Sequence, residues 1–135
     1  MSVFGTLGIS GSGLLLHRKW LDAVSDNMAN INTVNPYEAE PFRERLIVAQ
    51  AVDYGSGEGG VRVARAEFGG DPGGRIVHEP DHPLADANGY VRYPDIDLGD
   101  QMTQLIMAQR GYQASAAVVD RAKESYQAAL QIGRS

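Results

Sequence analysis

His78-Glu79-Pro80-Asp81-His82 is the stretch of this chain that comes nearest to a catalytic motif. It matches H-E-x-x-H, in which two histidines one helical turn apart hold zinc and the glutamate activates a water molecule. That chemistry needs a continuous helix to bring both imidazoles to one face. Pro80 stands between the histidines and Pro83 follows them, so the segment reads as strand and turn, and no third ligand is suggested by spacing. The expectation is a pair of structural turn histidines; a metallohydrolase built on His78 and His82 is the enzyme alternative, and it would carry stoichiometric zinc. Gly55-x-Gly57-x-Gly59-Gly60 lacks the Lys-Ser/Thr of a phosphate-binding loop and precedes no helical pattern, so it reads as a flexible hairpin loop. Asp95, Asp97 and Asp100 are close enough for acid/base work, yet at the start of a long helical pattern they suit a cap and the helix dipole better. His17, beside Arg18 and Lys19, belongs to a solvated face. No catalytic residue, cofactor site or metal site is expected.

Ser25, Asn27, Asn30, Asn32 and Thr33 cluster where the first helical pattern stops. Short polar side chains compete with helical hydrogen bonds, which suits a helix exit, and their amides could equally bond across to neighbouring backbone. The composition narrows the partners. Among 135 residues, 12 basic and 17 acidic side chains give a net charge of −5 with no Lys/Arg run, so nucleic acid is not an expected partner. The apolar runs, such as Leu14-Leu15-Leu16, are all far short of the roughly 20 residues of a spanning helix, and no basic region precedes a cleavable hydrophobic segment. With no cysteine there is no disulfide framework, thiol nucleophile or thiolate metal site.

Three zones of different period must position these residues. From about Gly5 to Asn32, Leu7, Leu14, Leu21 and Met28 recur every seven positions and predict an α-helix. Gly5, Gly8, Gly11 and Gly13 weaken its first half by about 1 kcal/mol each. From Asn35 to Pro94 lie all six prolines. Between them, Arg43–Val52, Gly60–Phe68, Arg75–His78 and Tyr90–Tyr93 read as strands of a small antiparallel sheet, the last after an Asn88-Gly89 turn signal. From Ile96 to Ile132, Leu98, Leu105, Tyr112, Val119 and Tyr126 recur every seven residues with Met102, Ala116 and Leu130 alongside, an a/d seam of coiled-coil type.

Such a helix would be about 50 Å long, more than a domain of this size can cover. The two stripes therefore need each other or other chains. The predicted fold is α+β: long N- and C-terminal helices forming an antiparallel coiled-coil hairpin (1–34 and 95–135), with a small antiparallel β region (35–94) inserted between them. Small residues at Ala108, Gly111, Ala114, Ser115, Ala116 and Ala117 would permit close lateral packing in an assembly.

Three motifs carry a resemblance. Ser25-x-Asn27-x-Ala29-Asn30-x-x-Thr33 resembles the N-terminal signature of bacterial flagellar rod and hook proteins. Glu79-Pro80-x-x-Pro83-Leu84-Ala85-Asp86-x-x-Gly89-Tyr90-Val91-x-x-Pro94 resembles a segment of the short proximal-rod type, and Ala108-Gln109-Arg110-x-Tyr112-Gln113-Ala114 resembles the C-terminal signature of the axial family. Order and spacing agree over nearly the whole chain; the turn Val34-Asn35-Pro36-Tyr37 is compact beside the loop of many relatives. The resemblance implies a non-catalytic, torque-transmitting subunit of the flagellar basal-body rod, in the periplasm, exported by the flagellar type III apparatus without a cleaved signal. Its implied partners are other rod subunits and copies of itself, with membrane-ring and export-gate proteins at the rod base as further candidates and no small-molecule substrate. The assembly interface is expected at Leu7, Leu14, Leu21, Asn27, Met28, Asn30, Leu98, Met102, Leu105, Tyr112, Val119 and Tyr126. Another short axial rod subunit, or a free coiled-coil adaptor that dimerises at micromolar concentration, is the alternative.

Overall fold

The structure, a computed structural model, describes residues 2–134. Its elements run α1 (Val3–Asn30), β1 (Asn35–Pro36), β2 (Glu44–Gly55), β3 (Glu58–Gly69), β4 (Arg75–His78), β5 (Tyr90–Tyr93) and α2 (Leu98–Gly133). The class is α+β, and the helix ends fall close to those read from the pattern. Ser2 starts α1, its Oγ accepting the Gly5 N–H at 3.0 Å. Asp97 starts α2 in the same way, accepting the Asp100 N–H at 2.8 Å, so within the acidic cluster Asp97 is the cap. Asp95 is used elsewhere, accepting the Asp71 N–H at 2.8 Å.

The β region departs from the expectation in two respects. It forms two sheets, not one: a three-stranded sheet in the order β1-β5-β4 and a separate pair β2-β3. Asn35-Pro36 has no alternation to betray it as β1; only its pairing defines it, Asn35 with Arg92 and Pro36 with Val91. Proline is tolerated there because β1 is an edge. The glycine-rich stretch does form the expected hairpin, but through a tight turn and not a loop over its whole length. β2 runs to Gly55 and β3 starts at Glu58, leaving Ser56 and Gly57 as the turn. Their φ values of 57° and 77° mark a type I′ geometry, which matches the right-handed twist of paired strands. Gly59 serves close approach: a Cβ there would stand 2.5 Å from the Val52 carbonyl oxygen.

Contacts divide the chain into two compact units. The first comprises Val48–Arg65 with the described parts of Met1–Leu21 and Ile106–Ser135. Within it, Val61 N–H donates to Ser12 Oγ at 3.0 Å, and Gly60 lies against the same serine. Ala108 is fully buried. Gly111 lies against the His17 imidazole, and a Cβ at Gly13 would stand 2.9 Å from Ser115 Oγ. His17 thus leaves the solvated face expected for it and is held by a 2.7 Å contact from Nδ1 to the Gly13 carbonyl.

The second unit comprises Asp22–Ile47 and Ala66–Leu105. Its apolar core is small: Ala23, Val24, Val91, Ile96 and Pro94 are buried. Cross-strand pairs extend it, with His78 opposite Tyr90 and Arg75 opposite Tyr93. Arg92 ties the loops down, donating to the Tyr37 and Gly73 carbonyls at 2.5 and 2.7 Å with its guanidinium over the Tyr37 ring.

Candidate functional site

The residues of the H-E-x-x-H match each hold a piece of the fold. His78 closes β4 with its ring 4.9 Å from that of Tyr90. His82 Nδ1 accepts the Leu84 N–H at 3.1 Å in the following turn. Glu79 accepts from the Tyr93 hydroxyl with both carboxylate oxygens, at 3.0 and 3.2 Å. This hydrogen bond, with lost hydration and the charge of Glu79 behind it, raises the Tyr93 pKa above its ordinary value, while Arg75 opposes the shift. The rest of the segment is a nest of turns between β4 and β5. Glu79 N–H donates to Gly89 O at 2.8 Å, and Asp86 Oδ1 accepts from the Asn88 and Tyr90 N–H groups at 2.9 and 2.8 Å. Gly89, at φ 80°, supplies the left-handed residue that the Asn-Gly signal called for. The H-E-x-x-H segment thus forms the turns that join β4 to β5.

The polar cluster at the α1 exit divides between its two readings. Asn30 Nδ2 donates to Asp26 O at 2.9 Å and Thr33 Oγ1 donates to Asn30 Oδ1 at 3.2 Å, so these two finish the helix locally. Asn27 reaches across the second unit. Its Oδ1 accepts the Arg45 N–H at 2.8 Å, and its Nδ2 donates to Arg45 O at 2.9 Å and to Gln101 Oε1 at 3.0 Å. Gln101 Nε2 donates in turn to Glu44 Oε1 at 2.6 Å. Asn27 and Gln101 are both 0 % exposed.

The twelve residues expected at an assembly interface take several environments. In the first unit Leu7, Leu14, Leu21 and Val119 are half-buried, while Tyr112 and Tyr126 are exposed. Tyr126 meets the ring of Phe4 edge-on, with centroids 5.8 Å apart. In the second unit Met28, Asn30 and Leu105 are half-buried, Leu98 and Met102 are half exposed, and Asn27 is fully enclosed. The covered row of α2 is Gln101, Ala108 and Ser115, stepped around from the row of large apolar residues. Small side chains admit a close neighbour, and the bulky ones are left on the flanks. The exposed set on α2 extends to Ile106, Met107, Val118, Leu130 and Ile132. Counting large apolar residues misses Gln101 on α2 and Ser12 on α1, whereas Ala108, Gly111 and Ser115 are marked by their small size; the seven-residue recurrence Gln101, Ala108, Ser115, Ala122 is the signal that would have found the α2 row.

Comparison with known proteins gives the family of the chain. Residues 87–132 match the family described as flagellar basal body rod FlgEFG protein C-terminal, a span that contains β5 and nearly all of α2. Over 135 residues the chain is 38 % identical to the flagellar basal-body rod protein FlgC of Yersinia enterocolitica, covering 99 % of this chain and 100 % of that one. The chain belongs to the FlgC family of flagellar basal-body rod proteins. The same relation holds to FlgC of Salmonella typhimurium, at 35 % identity over 136 residues, and to FlgC of Bacillus subtilis, at 29 % over 150 residues, each with 99 % of this chain and 100 % of the relative covered. These FlgC relatives are named as rod proteins, and no catalytic family is indicated. In this FlgC-family chain, then, bulky apolar side chains stand uncovered along α2, while Asn27, Glu79, Asp86 and Gly89, all motif positions, are occupied with its own fold.

Proposed function

We propose that this chain is a non-catalytic building block of the proximal rod, joining the torque-transmitting shaft through its two terminal helices. In this reading segments 1–34 and 95–135 form an antiparallel coiled-coil hairpin that packs laterally, and 35–94 is an inserted β-rich region. The observation that carries it is the row of large apolar side chains left open on α2, in a chain of the FlgC family. Leu98, Met102, Ile106, Tyr112, Tyr126 and Leu130 are each 39 % or more exposed. An apolar surface of that kind gains free energy when a neighbour covers it, at about 25 cal/mol per Å². Antiparallel seating of the helices is supported within the units by Phe4 with Tyr126, Gly13 with Ser115, His17 with Gly111, and Asn27 with Gln101. The neighbours are other rod subunits and further copies of this chain, with membrane-ring and export-gate proteins at the base, in the periplasm, reached by type III export without a cleaved signal.

The test is a tagged full-length chain produced in its own bacterium in place of the untagged one. The tag should co-purify with basal bodies and appear on the rod by electron microscopy. A chain recovered only from the soluble fraction, as a stable dimer by sedimentation, would favour the free adaptor instead.

A further inference from the structure

The amides of Asn27 and Gln101 are enclosed within the second unit, and neither reaches its surface. Their bonding has a direction that apolar packing lacks. Asn27 holds Arg45 by both main-chain groups, as a neighbouring strand would, with N–H to Oδ1 at 2.8 Å and Nδ2 to the carbonyl at 2.9 Å. Gln101 holds the preceding residue by its side chain, through Glu44 Oε1 at 2.6 Å, and holds Asn27 at 3.0 Å. Residues 44 and 45 of β2 point to opposite faces, so the clasp takes an inward carboxylate and the peptide groups of the next residue. The next carboxylate along β2 is Asp53, so no nearby register presents the same pair. A slip by one residue would turn the strand over and leave each amide only the other as a partner, with the rest of its hydrogen-bonding groups unsatisfied in a site closed to water.

We propose that Asn27 and Gln101 are register-determining residues, a buried amide clasp that admits one seating of the α1 exit and the α2 entry on strand β2, at some expense of stability. Buried polar groups elsewhere fix register in this manner. The clasp reads the main chain of Arg45, so the arginine side chain is dispensable to it. That side chain is half exposed and pairs with Asp26 at 2.7 Å.

The test uses the full-length chain with Asn27→Leu, Gln101→Met and the two combined, substitutions that keep the approximate shape of the side chain and remove its hydrogen-bonding groups. Each single variant strands its former partner and should lower the urea midpoint by about 1 M. The double variant removes the Asn27–Gln101 bond from both ends, so it should cost less than the two single shifts together, yet show more than one set of amide resonances across residues 22–30 and 98–105, with weakened nuclear Overhauser contacts from 27 to 45 and from 101 to 44. Arg45→Ala should keep a single set. A double variant with one sharp set and both native contacts would overturn the proposal. So would a double variant that does not fold, because the clasp would then supply stability rather than choose a register.

Discussion

Glu79 faces the Tyr93 hydroxyl with both carboxylate oxygens, and that pairing has a measurable consequence. The phenol, raised above its ordinary 10.0, holds its proton more tightly in the folded chain than in the unfolded one. The contribution to stability is therefore complete below about pH 10 and is lost as pH climbs through the raised folded value. Glu79→Gln should bring the Tyr93 titration back toward 10, read from its ring resonances with Tyr93→Phe as the assignment control. An unchanged titration would mean that Glu79 is not the cause. The histidines make the opposite prediction. His78→Asn combined with His82→Asn removes one cross-strand ring contact and one turn acceptor, for about 1 kcal/mol or less each, and motility should stay near normal. Loss of motility with normal export and stability would reinstate a chemical role. At this scale the sequence is readable where a residue's partners are local: Pro80 and Pro83 forbid the metal-binding helix, and Asp97 caps the turn beside it. The partners of Asn27 lie 18 and 74 residues away, so its chemistry could be anticipated but not its destination.

Two glycines in different helices separate propensity from packing. Gly8 of α1 has nothing within 4 Å of where a Cβ would stand, so Gly8→Ala should gain about 1 kcal/mol of helix preference and raise the helical content of the free chain by circular dichroism. Gly111 of α2 lies against the His17 ring, so Gly111→Ala forces the imidazole or the backbone to move and should cost about 1–3 kcal/mol despite the better helix former. His17→Ala in the same chain should remove most of that cost; equal thermal shifts for the two glycine variants would show that neither packing assignment holds. Helices and longer strands were legible because period survives in sequence. Of the facing row, Ala108, Gly111 and Ser115 were legible from their small size as places of close approach; Gln101 was not, because a buried amide leaves no mark in a hydrophobic count. β1 escaped for a related reason: two residues carry no period, and only Arg92 and Val91 opposite them make a strand.

For the whole molecule the question is which large apolar side chains serve the free subunit and which await a neighbour. Leu105 is half-buried, so Leu105→Asp places a carboxylate partly inside the second unit and should destabilise the free chain itself by about 1–3 kcal/mol. Met102 and Leu130 are each 50 % exposed, one in each unit, and an added charge there remains solvated in solution. Met102→Asp and Leu130→Asp should therefore leave the circular dichroism, urea midpoint and export of the free chain unchanged. In the rod the same carboxylates would be enclosed without partners, at a cost of several kcal/mol, and each 1.4 kcal/mol is tenfold in affinity. Recovery in purified basal bodies should fall at least tenfold, with cells non-motile and assembly stalled before the hook. Glu58→Asp, at the hairpin tip, keeps its charge and should change neither property. Normal incorporation of Met102→Asp and Leu130→Asp would mean that the open row of α2 is not an assembly contact. A collapse of the free chain in either variant would mean instead that these side chains belong to the subunit's own packing.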